Sequence, residues 1–269
     1  MDKERILFTV AYDGTNYCGW QVQENGATVQ GVLMDTCSRF FNVPPYVPGE
    51  SNTTAHVLGA SRTDAGVHAL GQRAVLTLPE GTCKVPPDRL PEVLNAKLPP
   101  DIVLTHAEYV PRDFHPIFDA KRKTYAYSIH NAVYINPLLR NQRYHVKHPL
   151  NVAAMHDAAK RFIGEHDFEA FRAMGGTTKT SVRRMFGASV TQDGETVTFT
   201  ITGNGFLYNM VRIMAGTLVA VGEGKMTGND IATIIAARNR VAAGKTLPPQ
   251  GLTLLKVYYE ADLEKETCV

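Results

Sequence analysis

The chain opens on alternating positions. Residues 5–14, RILFTVAYDG, alternate apolar and polar residues, are rich in β-formers and stop at Asp13-Gly14, which predicts a strand. Residues 28–43, TVQGVLMDTCSRFFNV, switch period. Val29, Val32, Leu33, Thr36 and Phe40 recur at three and four residues and Thr28 can cap them, so this stretch predicts a helix. Residues 43–54, VPPYVPGESNTT, are a Pro-, Gly- and Ser-containing loop. AHVLGAS and GQRAVLTL read as two short strands. PPDRLPEVLNAKL reads as a helix with Pro91 in its first turn, and DIVLTHAEYV as a further strand. The first part of the chain is therefore β-α-β-β-α-β.

The same grammar returns after residues 110–116, VPRDFHP, where we place the boundary between a half covering 1–110 and a half covering 111–269. KTYAYSIHN is a strand. NVAAMHDAAKRFIGEH is a helix with Asn151 as cap and Gly164 near its end. RRMFGASVTQ and TVTFTITG form a hairpin about Asp193-Gly194. GFLYNMVRIMAGTLVAVGEG and TGNDIATIIAARNR are helices, and GLTLLKVYYEA closes as a strand. Two β-α-β-β-α-β runs predict an α+β protein of two ferredoxin-like (RRM-like) halves.

Composition narrows the class. At 44% hydrophobic and 20% charged residues over 269 positions, the chain can build a core of one large or two ordinary domains. No apolar run approaches the roughly 18 residues that cross a bilayer, and MDKERILF is not a secretory signal, so the expectation is a cytoplasmic protein without membrane contact. The net charge is +2, so any nucleic-acid surface must be a local patch. Cys18, Cys37, Cys83 and Cys268 are too far apart for a Cys-x-x-Cys pair and read as free thiols, and the sequon Asn52-Thr53-Thr54 reads as a chance match. No GxGxxG, GxxxxGK[ST] or GxSxG is present, which removes dinucleotide, P-loop and serine-hydrolase readings.

The chemistry concentrates in residues 59–72, GASRTDAGVHALGQ. Asp64 is either a turn aspartate bonded to its own backbone or a positioned carboxylate acting as nucleophile or general base. Arg62, two residues away, can hold that acid ionised, and Ala65-Gly66 let a ligand approach. Asp64 and His68 are four apart, the spacing of two metal ligands on one helical turn, but no third ligand accompanies them and we assign no metal. His68 reads as a structural donor or an RNA contact. Tyr125 and Tyr127 share one strand face, where one ring belongs to the core and the other can stack on a nucleobase. Lys121, Arg122 and Lys123 before them read as a solvated face or as RNA-backbone contacts. Arg212, alone in an apolar helix, either snorkels or pairs with a carboxylate, for which Asp64 is the candidate. Trp20 reads as packing, with Met210, Ile213 and Met214 as core.

These strings together resemble the TruA-type tRNA pseudouridine synthases. The resemblance runs from AYDGTNYCGWQ through TVQGVL, SRTDAGVHALGQ, LPPDI, DFHPIFDAKRKTYAYSI, NPLLR, GEHDFEAF, SVRRM and NGFLYNMVRIMAGTL to PPQGLTLLKVYY. It implies two halves sharing a continuous, mostly antiparallel sheet, an active-site cleft between them and a homodimer. It implies an isomerase that converts uridine to pseudouridine in the tRNA anticodon stem-loop, at tRNA positions 38, 39 and 40, with no metal or cofactor. Asp64 matches the essential aspartate, attacking base or ribose C1′. Arg62 matches the arginine of base extrusion, Tyr125 the ring that stacks on the flipped uracil, Arg212 the partner of the acid and Leu252 an apolar contact to the base. Ser61 in place of glycine, Ile117 in place of arginine and the long 44–57 loop depart from the family pattern. The alternatives are a synthase acting on other tRNA sites or other RNAs, a non-catalytic tRNA-binding module, and a metal hydrolase using Asp64 and His68.

Overall fold

The computed structural model describes residues 3–44, 54–176 and 178–267. Most of the Pro-, Gly- and Ser-containing loop, Asn52 and Thr53 of the sequon, and Cys268 lie outside these residues. The chain divides into two units, Met1–Lys121 with Leu254–Val269, and Arg122–Thr253.

The first unit begins with β1 (Lys3–Tyr12), α1 (Val29–Phe41), β2 (His56–Gly59) and β3 (His68–Pro79). A turn of 3-10 helix, Pro87–Arg89, leads into α2 (Leu90–Asn95), and β4 (Ile102–Tyr109) follows. β1 lies antiparallel between β3 and β4, and β2 pairs antiparallel with β3 from His56↔Thr77 to Gly59↔Ala74. The order β4-β1-β3-β2 is that of a ferredoxin-like unit. Thr28 caps α1 as its sequence predicts, accepting from the Gly31 N–H. The buried stripe is Val29, Gln30, Leu33, Thr36, Cys37 and Ser38. Val32 falls at its margin, and Phe40 is half-exposed at the helix end, edge-on to Phe41. Gln30 is buried because both ends of its amide are used: it accepts from the Val22 N–H and donates to the Val57 carbonyl, tying α1 to β2. α2 is shorter than its pattern because Asn95 turns its amide onto the Leu104 N–H and C=O of β4, at 2.8 Å each.

The second unit contains β5 (Arg122–Asn131), β6 (Tyr144–Val146), α3 (Val152–Ala159), β7 (Gly164–Asp167), β8 (Val182–Asp193), β9 (Thr196–Gly203), α4 (Met210–Gly222) and α5 (Gly228–Ala237). Its strands run in the order β5-β9-β8-β7, all antiparallel, with β6 parallel on β5. The predicted hairpin is present, closed by Asp193↔Thr196 and Gly194 at φ +54°. Asn151 caps α3 by accepting from the Ala154 N–H. That helix stops at Ala159 and a 3-10 turn takes Lys160–Phe162, so Gly164 opens β7 rather than ending the helix. α4 starts at Met210, five residues after the predicted start, because Asn209 takes the left-handed conformation at φ +58°. Phe162, Phe168, Phe171, Phe199, Tyr127 and Ile213 are fully buried and form the core of this unit.

The chain ends with β10 (Leu252–Tyr258) and α6 (Glu260–Thr267). From Leu254 onward this segment belongs to the first unit, where β10 runs beside β3 and the Leu255 carbonyl occupies the place a side chain at Gly71 would take. The strand pairs are antiparallel in both units apart from β6 on β5, and helices stand between strands along the chain, an α+β arrangement. No helix among the described residues is long and apolar enough to cross a membrane.

Candidate active site

Residues 60–67 join β2 to β3 as a loop whose backbone is held at nearly every step. The Ala60 N–H donates to Arg73 O, and Gln72 brackets Ser61 by accepting from its N–H and donating to its carbonyl. Thr63 is the central anchor. Its hydroxyl lies 2.7 Å from the buried Tyr12 hydroxyl, and its carbonyl accepts from the Trp20 N–H at 3.0 Å. The Gly66 N–H donates to Tyr17 O and the Val67 N–H to Asp64 O. Trp20 is 2% exposed and lies so close to Gly59 that any side chain there would meet its indole, which bears out the packing assignment.

The loop alternates in exposure: Ser61 and Thr63 are buried, Arg62 and Ala65 exposed, and Asp64 half-buried between them. Its carboxylate thus sits on a backbone with little freedom, beside Gly66 at φ +77°. Arg62 is exposed and forms no ion pair among the described residues. His68 is the first residue of β3 and Asp64 lies on the loop, so the two do not share a helical turn. The Nδ1 of His68 lies 3.1 Å from the Gly14 nitrogen, giving the ring a structural role between β3 and the turn that follows β1. The same Nδ1 is also 3.1 Å from Asp13 Oδ1. Burial works to raise the Asp13 pKa, but the Thr15 hydroxyl and N–H, together with His68, outweigh it and hold the carboxyl below its usual range.

The second unit carries the remaining candidates. Tyr125 and Tyr127 share a face of β5, paired with Ile201 and Phe199 of β9. Tyr127 is the core ring: it is fully buried, its hydroxyl donates to Pro248 O at 2.7 Å, and its edge packs on Gly251. Burial drives its pKa upward. Tyr125 is 7% exposed and meets Phe206 edge-on, ring centroids 5.0 Å apart. Arg212 is half-buried in a helix whose other residues are buried except Ala220. Its Nε donates to Leu247 O at 2.7 Å and its Nη1 to Asn209 Oδ1 at 2.5 Å. Both acceptors are neutral, so they aim the guanidinium without cancelling its charge. Leu252 is 6% exposed at the start of β10.

The three cations before Tyr125 differ in setting. Lys121 is exposed and pairs with Glu260 at 3.5 Å. Arg122 lies over the Phe186 ring at 4.5 Å. Lys123 is half-buried, and burial pushes its ammonium down to about 8. Sequence reasoning did not find Tyr12, Asn209, Leu247 or Phe206. Only the Asn before Met210 carries a local signal, as a residue that tolerates the left-handed region.

Residues 9–119 and 158–260 match the tRNA pseudouridine synthase family. The chain is 45% identical over 256 residues to a tRNA pseudouridine synthase A of Ruminiclostridium cellulolyticum, covering 95% of this chain and 99% of that one. It is 46% identical over 254 residues to the protein of the same name from Acetivibrio thermocellus, covering 94% and 99%. It is 44% identical over 256 residues to that of Geotalea uraniireducens, covering 95% and 99%. With 95% of its length aligned at this identity and both halves matched, the chain belongs to the tRNA pseudouridine synthase family.

Proposed function

We propose that the protein isomerises uridine to pseudouridine in the tRNA anticodon stem-loop, at tRNA positions 38, 39 and 40, with Asp64 as nucleophile. The reaction exchanges the C1′–N1 bond for a C1′–C5 bond; a proton leaves C5 and one arrives at N1. Attack on the base and attack on C1′ both need an ionised carboxylate held in one place. The observation that carries the reading is Asp64, half-buried on a loop whose neighbour Thr63 is anchored through both its hydroxyl and its carbonyl.

The other roles follow from the resemblance. Arg62, exposed, assists extrusion of the nucleotide, Tyr125 stacks on the uracil, Arg212 pairs with the acid and Leu252 contacts the base. A ring and an inserted side chain offset the few kcal/mol that unstacking costs. The proposal includes a homodimer acting in the cytoplasm, and it requires neither metal nor cofactor. Release of tritium from C5-labelled uridine in tRNA tests it. Asp64→Asn is expected to lower the rate about a thousand-fold or more. Wild-type release by Asp64→Asn would remove the assigned role, and pseudouridines mapped outside positions 38–40 would remove the assigned site. Undiminished tRNA affinity with no pseudouridine formed would instead identify a binding module.

A further inference from the structure

The face of the second unit's strands that lies opposite Tyr125 carries a cluster that the reaction does not use. Register defines the two faces. Lys123↔Gly203 and Met185↔Gly203 share the face of Tyr125, while Thr124↔Thr202 take the other, their hydroxyls 2.8 Å apart. Arg122 is two residues before Thr124 and Arg184 is next to Met185, so both belong to the threonine face. On β8 the register slips between Met185↔Gly203 and Gly187↔Thr202, leaving Phe186 as an extra residue. A bulge of this kind turns its two residues toward the same side. Gly187 has no side chain, and the space beside it is open, so Phe186 has room there.

The result is one ring between two guanidiniums. Arg122 Cζ lies 4.5 Å from the Phe186 centroid and Arg184 Cζ 5.9 Å, with Phe186 38% exposed. Neither arginine forms an ion pair among the described residues. Glu165 stands directly across from Arg184 in the β7–β8 register and is exposed, yet it does not pair with it. Each cation–π contact orients a guanidinium but does not satisfy its five donors. Two like charges held against one ring repel, and an anion with several acceptor oxygens relieves both deficits. A phosphodiester fits this need, because a planar fork meets phosphate oxygens two at a time. Lys121, paired with Glu260, and Lys123, held on the Tyr125 face, lack this arrangement.

We infer that Arg122, Phe186 and Arg184 form a clamp for a phosphate of the substrate RNA backbone, on the strand face opposite Tyr125. The inference rests on the reading that the protein acts on tRNA. Its contribution is to affinity and register rather than to the reacting base, so loss of the clamp falls on KM rather than kcat.

The test measures tRNA binding by the full-length protein between 50 and 300 mM KCl, beside steady-state tritium release. In Arg122→Gln/Arg184→Gln the slope of log affinity against log salt should fall by about 0.7–0.9, the value for one neutralised phosphate, with affinity about tenfold lower. Phe186→Leu should weaken binding at an unchanged slope, since both charges remain. Glu165→Gln should tighten it. A double variant that keeps its fold by circular dichroism, with wild-type slope and wild-type KM, overturns the clamp even if the wild type makes pseudouridine. A reduced slope in a protein that makes no pseudouridine keeps the clamp and removes the proposed reaction. A wild-type protein that fails to bind tRNA removes both.

Discussion

Gly19 holds φ at +89°, and a Cβ there would fall 2.6 Å from Thr63 O and 3.1 Å from the Asp64 carbonyl carbon. A residue 45 positions away in the chain thereby limits where the Asp64 backbone can lie. Gly19→Ala has two costs: a left-handed backbone that alanine resists, about 1–2 kcal/mol, and a backbone contact that must open. The second cost moves Asp64. Since a displacement near 1 Å costs on the order of a hundred-fold in rate, tritium release should fall at least tenfold. Gly81→Ala is the control, because Gly81 has φ +73° but nothing within 4 Å of an added Cβ. It should lower the melting temperature and leave tritium release alone; equal losses from both variants would defeat the argument. At this scale the sequence was informative about chemistry and silent about support. Asp64, Arg62 and the permissive Gly66 stand together in one string. Gly19, Tyr12 and Gly14 reach the loop only through tertiary contact, and a side chain 2.0 Å from Val67 O at Gly14 is invisible to any local pattern.

Among the elements, those with a period and a cap were legible. β1, β3, β5, β8 and β9 form where the β-rich runs stand, β9 with strictly alternating burial, and Thr28 and Asn151 cap the helices they precede. β6 and β7, of three and four residues, are too short to show a period, and each exists because a longer strand offers it an edge. The pattern makes α4 too long because GFLYN is as apolar as the helix that follows, and only the backbone at Asn209 separates them. The Phe186 bulge was hidden for a related reason: RRMFG reads as a plain strand, and the extra residue is defined by its partner. α5 supplies a test confined to one element. Thr227 accepts from the Asp230 N–H, and Asp230 accepts from the Thr227 N–H at 2.7 Å, a reciprocal cap. Thr227→Ala should cost about 1 kcal/mol and lower the melting temperature by roughly 2–4 °C. Tritium release should stay at the wild-type rate, since the cap touches none of the candidate residues; a lost rate at preserved fold would tie α5 to catalysis.

At the scale of the molecule, the first unit is built from both ends of the chain, with residues 122–253 intervening. Its final piece is held by Tyr259, which is 6% exposed. The Tyr259 hydroxyl donates to Pro116 O at 2.9 Å, its ring meets Phe114 edge-on at 4.9 Å, and Arg73 of β3 lies over it at 5.5 Å. Burial pushes its pKa upward, with Arg73 opposing. The Lys121 N–H donates to Tyr258 O beside it. Leu254 and Val257 of β10 are buried as well. Tyr259→Ala removes the ring, its hydrogen bond and the arginine contact together, a loss of about 3–5 kcal/mol, comparable to much of the stability of an ordinary domain. The damage should be local to the unit the residue completes. Native-state hydrogen exchange is expected to show lower protection in β1, β3 and β4 while β8 and β9, which contain none of its contacts, keep theirs. Equal loss of protection in all five strands would mean that the two units unfold as one. Tyr259→Phe separates the ring from the hydroxyl: with the aromatic and cation–π contacts kept, it should lose only about 1 kcal/mol and leave the exchange pattern of the first unit intact.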